Sequence, residues 1–67
     1  MDDICTKVGL SIRKLREQKA ISQEKLAELA DLHRTYIGQV ERGEKNLTLR
    51  SLERIAKALG VKARELI

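Results

Sequence analysis

The 67-residue sequence has no proline, phenylalanine or tryptophan, and only one tyrosine, one cysteine and one histidine. A single thiol excludes an intramolecular disulfide, and one thiol with one imidazole cannot supply a structural zinc site. A single aromatic ring is too few for the stacking platforms that bind single-stranded nucleic acids. No apolar run reaches the length of a membrane span or a signal peptide. We therefore expect a soluble, cytoplasmic protein without covalent or metal staples.

The length predicts one domain over residues 1–67. A domain of this size buries only about 60% of the surface of its unfolded chain, so its stability should be marginal without help. Because disulfides and metals are excluded, association with a second copy is the remaining way to stabilise so small a domain. The chain has 14 lysines and arginines against 10 acidic residues, a net charge of +4. Such a balance favours a polyanionic partner, although many small proteins that bind no nucleic acid are equally basic.

Residues that favour helices predominate, and the apolar positions recur at helical spacing. Val8, Ile12 and Leu15 predict a first helix over about residues 5–18. Ser22 is the predicted N-cap of a second helix. The apolar face of this second helix comprises Leu26, Ala27, Leu29 and Ala30.

The second half of the chain has the same helical pattern. A third helix is predicted from Arg34 to Arg42, and Gly43 should end it because glycine readily takes the left-handed conformation after a helix. Thr48 should cap a fourth helix that closes at Gly60. A short fifth helix is predicted over residues 62–67. The expected fold is therefore all-α, a compact domain of five helices.

The second and third helices are joined by only about three residues. So short a connection is typical of a helix-turn-helix. Ala27 is expected where the two helices approach most closely, since only a small side chain fits there. Leu32 should fill the turn, and Ile37 and Val40 should anchor the third helix in the core.

The exposed side of the third helix can be derived from the helical rotation of about 100° per residue. This rotation places Tyr36, Ile37 and Val40 on the buried side. The opposite side is a polar arc, which consists of Arg34, Thr35, Gly38, Gln39 and Arg42. Arginine pairs with guanine and glutamine with adenine in the major groove, and threonine offers a hydroxyl and a methyl. Gly38 is expected to let the helix lie deep in that groove. The alternative is that the polar arc is only a solvated face.

Several motifs at fixed spacing resemble the signature of the phage-repressor and Cro-like helix-turn-helix family, over about residues 8–67. They are Gln23-Glu-Lys-Leu-Ala27, Leu32, Ile37 and Glu41-Arg-Gly43. The run HRTYIGQVERGEKN is also similar to the controller proteins of restriction–modification systems. The resemblance implies a homodimeric transcription regulator on a roughly palindromic operator in double-stranded DNA.

The chain departs from this family at two positions of the helix-turn-helix. Asp31 stands where the family usually has glycine, and His33 stands where it usually has a serine or threonine cap. Aspartate tolerates the left-handed backbone better than most residues. We therefore expect a turn that forms with some strain, and a third helix with a weak N-cap.

The resemblance also implies roles for individual residues. The implied base-reading residues are Arg34, Thr35 and Gln39. The implied phosphate contacts are Gln23, Tyr36, Arg42, Lys45 and Asn46, and Tyr36 is equally well explained as a half-buried core ring. A partly buried ion pair between Arg16 and Glu41 is expected to hold the third helix against the first.

The end of the chain carries more large apolar residues than so small a core requires: Leu47, Leu49, Val61, Leu66 and Ile67. Either all of them close the core of the monomer, or some of them form the twofold interface that the resemblance implies. RNA polymerase is a further candidate partner of such a nucleoid-associated regulator. No metal, cofactor, small-molecule ligand or membrane partner is expected.

The sequence has no spacing that would support catalysis, so we do not expect an enzyme. The main alternative function is that of a protein-binding regulator, either the antidote half of a toxin–antitoxin pair or a phage-type repressor that also uses the fold to bind protein. A protein-binding surface would favour leucine, tyrosine or methionine over the arginine, glutamine and glycine of the polar arc.

Overall fold

The computed structural model describes residues 3–67, which form four α-helices and one short 3₁₀ turn. The helices are α1 (Ile4–Gln18), α2 (Gln23–Ala30), α3 (Arg34–Glu41) and α4 (Leu49–Leu59), and the 3₁₀ turn is Ala63–Leu66. The described residues contain no β-strand. The all-α, helix-turn-helix fold predicted from the sequence is therefore confirmed.

The predicted fifth α-helix is wrong. Residues Ala63–Leu66 form a single 3₁₀ turn, in which the backbone N–H of Glu65 donates to the carbonyl of Lys62 at 2.9 Å. The Glu65 carboxylate also accepts from the backbone N–H of Lys62 at 2.8 Å. This tight turn brings Leu66 into the core, where its side chain is fully buried, and 3₁₀ geometry suits such short segments.

Side-chain caps begin the helices and explain where each one starts. Ser22 Oγ accepts from the backbone N–H of Lys25 at 2.9 Å, and Thr48 Oγ1 accepts from that of Ser51 at 3.0 Å. Both caps were predicted and are confirmed. Asp3 Oδ1 caps α1 in the same way, by accepting from the backbone N–H of Cys5.

The N-terminus of α3 is better capped than the sequence indicated. His33 Nδ1 accepts a hydrogen bond from the backbone N–H of Thr35 at 3.1 Å. The imidazole nitrogen thus takes the place of a serine or threonine oxygen. The helix therefore has a side-chain cap at the position where the sequence lacks serine or threonine.

The turn of the helix-turn-helix consists of residues 31–33. Asp31 adopts the left-handed conformation, with φ 57° and ψ 47°. The backbone N–H of Leu32 then closes α2 by donating to the carbonyl of Ala27 at 2.9 Å. Ala20, between α1 and α2, has φ 56°, which the sequence did not indicate because alanine rarely takes this conformation.

The core lies between α1, α2, α3, α4 and the 3₁₀ turn. Its fully buried side chains are Ile12, Leu26, Ile37, Ile55, Leu59 and Leu66. Ala27 and Val40 are also buried, as predicted, and Leu32 packs against the core from the turn. This packing fixes the position of α3 relative to α2. Within residues 3–67, no helix has the length and apolar character needed to cross a bilayer.

Candidate nucleic-acid interface

A polar cleft opens between the N-terminus of α2 and the exposed side of α3. It is lined by Arg16, Ser22, Gln23, Glu24, Arg34, Thr35, Gly38 and Arg42. The structure thus brings together four residues that the resemblance assigned to DNA: Gln23, Arg34, Thr35 and Arg42. They come from two helices, and the short turn between these helices sets their spacing.

Two residues that line this polar cleft, Arg16 and Gln23, donate hydrogen bonds to Glu41, whose side chain is only 2% exposed. Arg16 donates to the Glu41 carboxylate from Nε at 2.7 Å and from Nη2 at 3.1 Å. Gln23 Nε2 donates to the same carboxylate at 3.0 Å. The hydrogen bond to Glu41 is the main reason that the pKa of Arg16 is raised. The expected ion pair of Arg16 and Glu41 is therefore present, and it ties α1 to α3.

Gln23 takes part in these hydrogen bonds and also begins α2. The first backbone N–H groups of a helix have no partner within the helix. In α2 the N–H of Lys25 donates to the hydroxyl of Ser22. The free N–H groups and the helix dipole favour an anion at this end of α2. One amide hydrogen of Gln23 is engaged by Glu41, so the expected phosphate contact would use its other hydrogen or the backbone.

Two arginines of the polar arc form exposed ion pairs. Arg34 Nη1 donates to Glu24 Oε2 at 3.1 Å. Arg42 donates to the Glu44 carboxylate from Nε at 3.0 Å and from Nη2 at 3.2 Å. Hydrogen bonding across this second pair raises the pKa of Arg42 and lowers the pKa of Glu44. One whole edge of the Arg42 guanidinium is occupied, whereas Arg34 uses a single nitrogen.

Gly38 lies beneath neighbouring side chains on the polar arc. It is buried, and a Cβ there would lie 3.2 Å from Arg42 Nη1 and 3.6 Å from Gln23 Oε1. The missing side chain therefore makes room for two polar side chains that cover the middle of α3. It does not leave the centre of the polar arc bare.

The other residues assigned to DNA lie outside the polar cleft. Gln39 is partly exposed on α3, and Tyr36 is half-buried with its ring against the core. Lys45 and Asn46 are exposed in the loop after α3. Asn46 Oδ1 accepts a hydrogen bond from Cys5 Sγ at 3.2 Å, which ties this loop to the start of α1.

A second concave surface, the apolar groove, lies on another part of the protein. It is lined by Ile4, Cys5, Val8, Val40, Lys45, Leu47, Leu49, Leu52 and Ile67. Leu49 is 84% exposed and Ile67 is 62% exposed at its margin. Of the five candidates for a dimer interface, Leu47, Leu49 and Ile67 lie here.

The other two candidates lie elsewhere. Leu66 is fully buried within its own chain and is corrected to a core residue, because the 3₁₀ turn points it inward. Val61 is half-buried and packs against the core.

Reasoning from the sequence missed the two carboxylates that hold the exposed arginines. Glu44 is only two residues after Arg42, and this spacing was an available signal. Glu24 and Arg34 are ten residues apart on different helices, so no local pattern relates them. Among the described residues, no cluster of three or more histidine, cysteine, aspartate or glutamate side chains could hold a metal ion.

Comparison with known proteins agrees with this geometry. Residues 12–66 match the helix-turn-helix family. The control protein C.BamHI of Bacillus amyloliquefaciens is 50% identical over 60 residues, which are 88% of this chain and 74% of that protein.

Two solved structures show the same likeness in three dimensions. The restriction–modification controller protein C.AhdI from Aeromonas hydrophila has a TM-score of 0.92 and 44% identity, covering 94% of this chain and 96% of that one. The C.Esp1396I tetramer in complex with its natural 35 base-pair operator has a TM-score of 0.86 and 44% identity. The match covers 92% of this chain and 82% of that one. The chain therefore belongs to the helix-turn-helix family of transcription regulators, alongside the control proteins of restriction–modification systems.

Proposed function

We propose that this protein is a sequence-specific regulator of transcription that binds an operator in double-stranded DNA and controls a restriction–modification system. The observation that carries the proposal is the polar cleft, which sets Arg34 and Thr35 of α3, and its C-cap Arg42, beside the N-terminus of α2. The likeness to a controller protein bound to its operator supports it. Residues 1–67 would act as one domain, in the cytoplasm at the nucleoid.

In this proposal α3 enters the major groove and the N-terminus of α2 contacts the DNA backbone, as in other helix-turn-helix proteins. Arg34 pairs with guanine, while Thr35 and Gln39 contact neighbouring bases. The phosphate contacts come from Gln23, Tyr36, Arg42, Lys45 and Asn46. These contacts fix the register of α3 on the duplex and make the affinity fall steeply with salt.

We propose that the apolar groove joins two copies of the chain in a symmetric dimer. Leu49 and Ile67 are both large apolar residues that are mostly exposed at the margin of this groove. Exposed apolar side chains that lie together on a surface are typical of interaction sites. A twofold dimer would place two copies of α3 about 34 Å apart, one turn of DNA, and would require a roughly palindromic operator. Bound near a promoter, such a dimer would block or recruit RNA polymerase.

Selection of duplexes from a randomised pool tests this function directly. The purified protein should enrich an inverted repeat whose half-sites are centred about 10 base pairs apart. If several rounds at low salt enriched no sequence, the proposed function would be wrong.

Replacing Arg34 with alanine should reduce discrimination at one base pair of each half-site by about tenfold, because a paired arginine–guanine contact is lost. Lys45→Gln should weaken binding to every duplex alike and reduce the salt dependence by about one phosphate contact. Glutamine is chosen there because the stem of Lys45 also lines the apolar groove. Titrations of the selected duplex and its single-base variants at several salt concentrations would measure both effects. An equal loss for all sequences with Arg34→Ala would contradict its role as a base reader.

Replacing Leu49 with aspartate should shift the protein from dimer to monomer, because two carboxylates would be buried in the interface. Light scattering coupled to size-exclusion chromatography would measure the mass. Leu29→Asp is the control, since Leu29 is also an exposed leucine but lies on α2 outside the apolar groove. An unchanged dimer with Leu49→Asp would exclude this groove as the interface.

A further inference from the structure

The ion pair between Glu24 and Arg34 spans the two helices of the helix-turn-helix. Glu24 lies in the first turn of α2 and Arg34 is the first residue of α3. Their side chains meet at 3.1 Å at the mouth of the polar cleft, where both are largely exposed. The carboxylate therefore restrains the side chain that the proposed function assigns to guanine.

The hydrogen bond to Glu24 leaves Arg34 able to bind a base. Arginine has five N–H groups, and Glu24 engages only Nη1. A paired contact to guanine O6 and N7 needs two more. Both contacts can therefore exist together. Arg42 differs, because Glu44 occupies both Nε and Nη2 of its guanidinium and must be released before that edge is used.

We infer that Glu24 is a positioning residue that determines how strictly Arg34 selects its base, an inference that rests on the proposed binding of duplex DNA. Arginine has a long, flexible stem whose freedom is lost when both nitrogens of its fork contact one base. Glu24 restricts this freedom before DNA is bound. A pre-organised side chain loses less entropy when it forms the contact.

The negative charge of Glu24 adds a second effect. A carboxylate beside Arg34 repels phosphate oxygens and offsets the attraction of the guanidinium for the DNA backbone. Arg34 thus gains little from a phosphate contact, which carries no sequence information, and gains most from guanine, which is neutral. Both effects widen the difference in affinity between the operator and random DNA.

The chain provides a matched control in Glu28. This residue also lies on α2, pairs with Lys25 at 3.0 Å, and is 72% exposed in its side chain against 71% for Glu24. Glu28 does not line the polar cleft. Glu24→Gln and Glu28→Gln therefore make the same change of charge on the same helix. Only the first weakens the restraint on Arg34, because an amide oxygen is a poorer acceptor for a guanidinium than a carboxylate.

The experiment uses the full chain and three kinds of probe: the duplex that the wild-type protein selects from a randomised pool, its single-base-pair variants, and an unrelated duplex of equal length. Affinities are measured for the wild-type protein, Glu24→Gln, Glu28→Gln, Arg34→Ala and the double variant Glu24→Gln/Arg34→Ala. Glu24→Gln should reduce the ratio of selected to unrelated affinity by about threefold to tenfold, part of the value of a paired arginine–guanine contact. The loss of base preference should occur at the base pair where Arg34→Ala loses it.

Glu28→Gln should keep the wild-type ratio. Glu24→Gln should not lower the ratio of Arg34→Ala further, because Glu24 acts on base preference through Arg34 and its repulsion of phosphates affects all duplexes alike. The inference is overturned if Glu24→Gln keeps the ratio shown by Glu28→Gln, or if its loss persists in full without Arg34. If the wild-type protein selects no sequence, the proposed function itself fails and this inference fails with it. Selection by the wild-type protein with no effect of Glu24→Gln overturns the inference alone.

Discussion

Replacing Glu41 with alanine should lower the free energy of unfolding by about 3–5 kcal/mol, the usual effect of removing one partner of a buried ion pair. The Glu41 carboxylate accepts three hydrogen bonds, two from Arg16 and one from Gln23. Alanine would leave the Arg16 guanidinium, which is only 12% exposed, without a counter-charge, and only its hydrogen bond to the Ile21 carbonyl would remain. A single core of this size rarely supplies more than about 3–5 kcal/mol, so the variant should be largely unfolded near room temperature.

Urea titration followed by circular dichroism at 222 nm would measure this loss. Glu28→Ala is the control, because it removes an exposed glutamate whose pair with Lys25 contributes little. Replacing both partners, Arg16→Met with Glu41→Leu, should recover most of the stability, since two apolar side chains strand no charge. A melting temperature of Glu41→Ala within error of the wild-type value would refute the role assigned to this pair.

The loss of Glu41 should also affect the proposed DNA-binding surface. Gln23, which begins α2, and Arg16, which lines the polar cleft, are both held by this one carboxylate. Arg42, which also lines the polar cleft, directly follows Glu41 as the C-cap of α3. One buried anion therefore supports the stability of the fold and the relative position of α2 and α3.

Replacing Gly9 with alanine should destabilise the protein by about 3 kcal/mol or more, at the upper end of the range for overpacked interiors. Gly9 lies in α1, where a Cβ would come within 2.2 Å of the Val40 carbonyl oxygen and 3.0 Å of the Glu41 carbonyl oxygen. Both atoms belong to the backbone of α3, so the clash can be relieved only by moving the two helices apart. The gain of about 1 kcal/mol in helix propensity is too small to compensate.

Gly38→Ala is the matched control for Gly9→Ala. Gly38 is also a helical glycine, but a Cβ there would meet the far ends of two flexible side chains, those of Arg42 and Gln23. Its substitution should change the free energy of unfolding by less than about 1 kcal/mol. Equal losses of unfolding free energy for the two variants in urea titrations would contradict the prediction that the close contact of α1 with α3 requires glycine at position 9.

Several features of the fold could be predicted because they depend on neighbouring residues. The caps at Ser22 and Thr48 each involve a backbone N–H three residues later. Asp31 and Gly60 end α2 and α4 in the left-handed conformation. The buried side of α3 follows from the helical period alone. The cap at His33 was missed because histidine is not a common capping residue.

Features that depend on the packing of distant segments could not be predicted in this way. The hydrogen bond of Cys5 with Asn46 joins residues 41 positions apart, and that of Glu24 with Arg34 joins two helices. The sequence left open whether Leu66 belongs to the core of the monomer or to an interface between two copies. Its burial was settled by a turn that points it inward.

The sequence by itself determined that the protein is helical, where most of its helices begin and end, and which side of α3 faces the core. These features arise from hydrogen bonds and apolar spacing within one or two turns of the chain. Only the tertiary structure decided what Gly9 contacts, that Glu24 holds Arg34, and which apolar side chains remain uncovered. The physical reason is that a side chain can reach a distant residue only after the helices have packed, and their packing depends on the shape of the whole core.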